Sequence, residues 1–351
     1  MKPKLALAVA ALQVLVLGFM AGQREWIMRT GTPLTLRTAP IDPNDPMRGA
    51  YVRLNYEISN IPAEFCRGET AQWIKPSDDI WRSSRLRDRV VYASLRINEH
   101  GLTELVALRE VPPASGPFLR GRVVSANQNN IQVRYGIEAL FMAKEAAVRM
   151  ESMAIKEKAG APLAVQVMVG SSGTAVLKNH AWEPLGLTLV LHRPAPAESS
   201  EANRFRPQQP INALTATLHN YGDKDFAIVD LPGGRSFRLV SNLLVNYGRY
   251  VPAPPSGAVA PPPQAAHVIV LKPGASHAIQ IDLSRPDWWI RDTSKADAKA
   301  TPLSEVQDWT ASFRLEYIPP AAEVVRGLPH ADLVRHVPLR SRAFSAMQGV
   351  D

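Results

Sequence analysis

The most restrictive feature of this chain lies at its start. Residues 5–21, from Leu5 to Ala21, read LALAVAALQVLVLGFMA, and Gln13 is their one strongly polar side chain. A helix of that composition has no polar face for water and must be enclosed by protein or by lipid. At 1.5 Å per residue it covers about 26 Å, the short end of what crosses a hydrocarbon core. Lys2 and Lys4 stand before it, Arg24 and Arg29 after it. A short basic head ahead of a long chain favours N-in insertion with the body on the far side. Cleavage as a signal sequence needs small residues at the first and third positions before the cut, and a cut after Ala21 or Gly22 puts Phe19 or Met20 at the third. Trp26, beside arginines, suits the headgroup belt. The segment therefore reads as a retained anchor contacting the lipid bilayer, with a cleaved signal as the alternative.

Behind it, 30 prolines and 21 glycines in 351 residues are too many helix breakers for a long-helix bundle, while 46% hydrophobic residues suffice for two cores. Period-two alternation marks strands at 34–38, 51–58, 89–97, 103–109, 119–126, 131–135, 163–169, 173–178 and 186–192, with short polar turns that imply antiparallel pairing. Residues 143–158, AKEAAVRMESMAIKEK, lack proline and glycine and predict one short surface helix. Residues 193–210 have linker composition, mixing proline, serine and charge. Further strands are expected at 211–218, 226–230, 235–240, 268–271, 277–283 and 309–318. The proline-rich stretch 252–264 predicts a long extended loop. The expected organisation is an anchor at 1–25, a mainly β (α+β) domain at 26–192, a linker at 193–210, a β domain at 211–342 and a frayed tail at 343–351.

Residues 39–59, APIDPNDPMRGAYVRLNYEIS, form a proline-punctuated turn with two aspartates, then a strand that sets Val52, Leu54 and Tyr56 on one face and Tyr51, Arg53 and Asn55 on the other. This block resembles the GDYXXLXY family of bacterial membrane-anchored proteins: Gly49, Tyr51, Leu54 and Tyr56 match its pattern, and Ala50 stands where the family has aspartate. Phe118-Leu119-Arg120-Gly121, Tyr135-Gly136-Ile137-Glu138 and Phe141 look like later family stretches, so the resemblance spans roughly residues 1–190. It implies a membrane-tethered domain, here of the bacterial inner membrane with its body in the periplasm or outside the cell, and no particular reaction. Asp42, Asp45, Arg48 and Arg53 are read as a turn held by local ion pairs, with a partner surface over the same residues and Glu138 as the functional reading. The C-terminal half resembles an immunoglobulin-like β-sandwich, from Lys272-Pro273-Gly274 and the alternating strand after it, which implies a binding or spacer module.

Catalytic patterns are not evident. The eight histidines show no short-spacing metal pattern, and Gly-Ser-Ser-Gly at 170–173 lacks the spacing of a hydrolase elbow and reads as a hairpin loop. After Trp26 there is no serine until Ser59 and no lysine until Lys75, which argues against a signal-peptidase arrangement. Cys66, the lone cysteine, excludes an intrachain disulfide and reads as a buried thiol. The net charge of +8 comes from 29 arginines and 11 lysines against 32 acids. A body outside the cytoplasm argues against nucleic acid, so the charge points to lipid or wall polymer. Arg82, Arg85, Arg87 and Arg89, the densest run, read as a solvated strand entry offset by Asp88. The expected function is that of a non-enzymatic accessory or interaction module without a cofactor, with an integral membrane protein as its partner. An envelope hydrolase or a small-ligand sensor, its site assembled from distant residues, is the alternative.

Overall fold

The computed structural model describes residues 3–38, 51–75, 82–194, 209–246, 248–254, 261–295 and 297–347. The apolar segment forms α1 (Pro3–Thr30), of which Leu7–Thr30 is long and apolar enough to cross a membrane. Its large side chains face outward, Phe19 at 72% exposure, until the last turn, where Ile27 is only 5% exposed. Gly31 N donates to Ile27 O at 2.8 Å and the chain passes at once into β1 (Thr32–Arg37). The helix thus enters the body with no connecting loop.

The first body is built from β2 (Tyr51–Arg53), β3 (Asn60–Pro62), α2 (Glu69–Trp73), α3 (Arg82–Leu86), β4 (Val90–Ile97), β5 (Thr103–Arg109), β6 (Phe118–Ala126), β7 (Asn130–Arg134), β8 (Ala139–Phe141), α4 (Lys144–Ser152), β9 (Leu163–Val169) and β10 (Ala175–Trp182). Five strands form one antiparallel sheet in the order β3-β7-β6-β4-β5; β1-β9-β10 form a second, and β2-β8 a small third. Alternation dictates the packing: Val91, Ala93 and Leu95 of β4 turn inward into the core that also holds Val165 and Val167 of β9, and the even-numbered residues of β4 face out. The expected helix at 143–158 is α4 followed by a π-helical turn at Met153–Glu157, with Ala147, Met150 and Ala154 on the core side.

The second body contains β11 (Leu185–His192), β12 (Ala213–Asn220), β13 (Phe226–Val229), β14 (Phe237–Ser241), β15 (Tyr250–Pro252), β16 (Val268–Leu271), β17 (Ser276–Asp282), β18 (Trp289–Asp292), β19 (Thr301–Pro302), β20 (Ser312–Tyr317) and β21 (Leu339–Ser345). They pair antiparallel as β11-β12-β17, β13-β16, β14-β20-β21 and β15-β18-β19 around a core that includes Trp288, Phe313, Tyr317 and Phe344. The chain is mainly β, as the alternation indicates.

Four readings need correction. The strand expected at 51–58 is regular only through Arg53 and ends in a 3-10 turn at Glu57–Ser59, although Val52, Leu54 and Tyr56 are buried and Arg53 and Asn55 exposed as the alternation requires. Arg82 to Leu86 form a helical turn, because the Ser83 hydroxyl accepts from Ala126 N at the end of β6 and draws the segment onto that strand; Asp88 then turns with φ 62° before β4 begins. The strand placed in the first domain at 186–192 is β11, which pairs along its whole length with β12 across the expected linker and lays Leu185 and Leu187 into the second core. The tail expected after Arg342 is ordered to Met347: β21 pairs with β20, and Phe344 and Ala346 are fully buried.

The two bodies meet through polar side chains. Glu183, 2% exposed between β10 and β11, accepts from Arg335 Nη2 at 2.6 Å and lies 3.3 Å from Arg37 Nε. Arg37 Nη1 also donates to Pro338 O at 2.7 Å. Lys158 Nζ donates to Tyr221 O, and Tyr221 OH to Ala159 O, both at 2.8 Å.

Candidate functional site

The motif strand and the Tyr135–Glu138 turn, far apart in sequence, form one braced unit. β2 pairs with β8 in the register Tyr51–Phe141, Val52–Leu140 and Arg53–Ala139, and Leu54 N then donates to Glu138 O at 2.8 Å. Tyr56 bridges to Thr38 just beyond β1. Two buried phenols cross between the segments. Tyr56 OH donates to Ile137 O and Tyr135 OH to Ile58 O, each at 2.8 Å. The Glu138 carboxylate closes the turn by accepting from the backbone N–H of Tyr135 and, at 2.9 Å, of Gly136. Gly136 holds φ 82°, which a side chain would disfavour.

Burial, reinforced by the neighbouring Glu138 charge, pushes both phenols well above their ordinary range. They are fixed donors at any physiological pH, and each satisfies a buried carbonyl that would otherwise lack a partner. The arrangement can hold the turn and the motif strand together; neither phenol is placed to shuttle a proton.

Of the sequence-derived site residues, the structure brings Leu54, Tyr56 and Glu138 into this unit and leaves Arg53 exposed on its outer side. Tyr51 enters through its backbone pairing with Phe141. Asp42, Asp45, Arg48 and Gly49, with the ion pairs expected for them, lie outside the described residues. Tyr135 stands out in the sequence only as part of the Tyr135-Gly136-Ile137-Glu138 motif. Glu183 carried less warning still, since a lone acid in Trp182-Glu183-Pro184 between two apolar strands is the only hint.

Cys66 is buried, and burial pushes its thiol up to about 11. Elsewhere His277 Nε2 lies 2.9 Å from Asp230 Oδ2, and Arg249 binds Asp292 and Asp308 together, which with the Ser294 hydrogen bonds holds the Asp292 carboxyl down at about 2.

With this geometry in view, the first half of the chain shows a similarity to a known family. Residues 13–179 match the model of the GDYXXLXY protein family, the family and the segment that the motif residues indicate. The matched stretch begins inside α1 and ends in β10, so it takes in the helix end, the braced unit and the five-stranded sheet. No curated protein and no solved structure matches the chain.

Proposed function

We propose that this is a single-pass protein of the bacterial inner membrane, N-in, whose extracytoplasmic body works as a non-enzymatic accessory or interaction module for an integral membrane partner. One observation carries the reading: the signature side chains of the family-like segment, Leu54, Tyr56 and Glu138, are engaged in core packing and in holding backbone to backbone. Their chemistry serves the shape of the body, and shape is what an interaction module presents. The helix supports the tether, since its apolar side chains face outward along Leu7 to Met20 and only its final turn packs on the body. The second half fits a sandwich-type spacer, its strands enclosing a main core with a smaller cluster around Val229 and Val325 beside it.

A surface suited to contact is also present. Phe141, at the end of β8, is 78% exposed, and Val148 of α4 and Ile155 of its π-helical extension expose large apolar side chains. Photo-crosslinking residues placed at Phe141 and Val148 in the full chain, in native membranes, should each give one discrete adduct with a membrane protein, whereas a control at Lys272 should not. Identical patterns at all three positions would refute the interaction reading. Extraction of the protein from membranes at alkaline pH would refute the anchor.

A further inference from the structure

The outer face of the five-stranded sheet gathers arginines that the braced unit does not use. Residues directly opposite one another on neighbouring strands share a face. In register across β5, β4 and β6 stand Arg109, Tyr92 and Arg120, and two residues along, across β4, β6 and β7, stand Val90, Arg122 and Arg134. All four arginines are exposed, and the two rows lie about 7 Å apart. Tyr92 packs edge-on against Phe118 at 5.9 Å between ring centres, which puts an aromatic pair within the basic field. The acids on this face are few: Asp88 lies 3.5 Å from Arg134, and Glu104 is paired with Arg96 at 2.9 Å. Arg122 donates to the backbone carbonyl of Asp88. A depression of about 400 Å³, lined by Ser94, Arg109, Pro112 and Pro113, opens beside the rows.

The position of this face relative to α1 selects its partner. Ile27, in the last turn of α1, packs against Gly170 of the β9–β10 hairpin. Gly173 of the same hairpin accepts a backbone hydrogen bond from Arg120 at 2.9 Å and abuts the Phe118 ring. The basic field therefore begins one short hairpin away from the point where the apolar helix enters the body. We propose that the Arg109, Arg120, Arg122 and Arg134 face docks on the anionic phospholipid headgroups of the bilayer that α1 enters, and so holds the body down on the membrane. Arginine suits this task because its planar fork binds phosphate oxygens in pairs, and an aromatic among the arginines fits the headgroup zone. The inference rests on α1 being a retained anchor.

The full chain should be reconstituted in vesicles of phosphatidylcholine alone and of phosphatidylcholine with phosphatidylglycerol. A nitroxide at Ser94→Cys reports the distance to a headgroup-chelated relaxation agent, and the buried Cys66 stays unlabelled. The expected result is strong relaxation only in the phosphatidylglycerol vesicles, reversed by high salt. Each Arg→Gln change in the two rows should lower the docked population about fivefold, and Arg→Lys changes, which keep the charge but lose the paired phosphate contact, should lower it less. The composition and salt comparisons on the otherwise unchanged chain stand even if a multiple variant fails to fold. Equal relaxation in both vesicle types, whether strong or weak, would overturn the proposal. Chain that stays in the membrane at alkaline pH without such an approach sinks this inference alone; chain released at alkaline pH sinks the anchor reading beneath it.

Discussion

Replacing Glu183 tests how the two bodies are joined. Its carboxylate is 2% exposed and is shared by Arg335, whose side chain is 24% exposed, and Arg37, whose side chain is 8% exposed. Arg37 Nη2 and Arg335 Nε have no hydrogen-bond partner among the described residues, and within the cluster two guanidinium groups share one carboxylate. Glu183→Gln keeps the volume and removes the negative charge, leaving two guanidinium groups facing a neutral amide. Breaking a buried pair by removing one partner costs about 3–5 kcal/mol, and the lower end applies here because Arg335 can swing toward solvent. At about 2–4 °C per kcal/mol for a body of this size, the melting temperature should fall by roughly 6–12 °C. The assay is thermal unfolding of the full chain in detergent, followed by tryptophan emission. Trp73 and Trp182 report the first body, and Trp288 and Trp289 the second. The two sets should also part company, since the change weakens the junction and spares both cores. A Glu183→Gln protein that melts within about 1 kcal/mol of the parent, in one transition, would refute the argument that the junction depends on this charge. The double change with Arg335→Gln should be milder than the sum of the singles, because the second removes a charge that the first left stranded.

Tyr56→Phe should cost about 1–2 kcal/mol by denaturant titration, because it strands the Ile137 carbonyl in the core, and a neutral result would mean that the brace contributes nothing. Gly160→Ala should abolish accumulation of folded protein, since φ is 74° there and a Cβ would collide with the Leu187 carbonyl; Gly101→Ala, with φ 75° but open space, should cost only about 1–2 kcal/mol in the same titration. Asp292 predicts a pH signature. Its folded-state carboxyl lies at about 2, below the unfolded value near 3.9, so its stabilisation is complete above about pH 4 and is lost as pH falls toward 2. Unfolding curves of the parent and Asp292→Asn should differ by a constant amount at neutral pH and converge in acid; a gap that persisted at pH 2 would contradict this.

Period-two alternation carried most of the strand pattern, and Val52, Leu54 and Tyr56 are buried as it requires even where the ladder stops at Arg53. What it could not show was partnership. Nothing local to β11 tells that it pairs with β12 across residues 193–210, because pairing is a long-range choice made by the two cores. The same limit hid the brace: Tyr56 and Tyr135 each look like an ordinary strand aromatic until the other segment's carbonyl is beside them. The arginine rows were half legible. Arg120 and Arg122 show the outward period in one strand, but Arg109 and Arg134 join them only through cross-strand register. The tail gives little apolar signal because, of its buried residues Ala343, Phe344, Ser345 and Ala346, only Phe344 is large.

The seamless passage from α1 through Gly31 into β1 makes the helix an axle without a swivel. A body on a loose tether samples every heading, whereas this one is keyed to its shaft, so the face of the helix and the face of the body keep a fixed bearing. Each residue added to or removed from an α-helix turns the remainder of the chain by about 100°. One alanine inserted between Met20 and Trp26 would therefore steer the arginine rows and the Phe141 surface to a new compass point while leaving every contact inside the body intact. Function that survived a full turn of insertions, but failed at half a turn, would show that the heading itself is what the helix transmits.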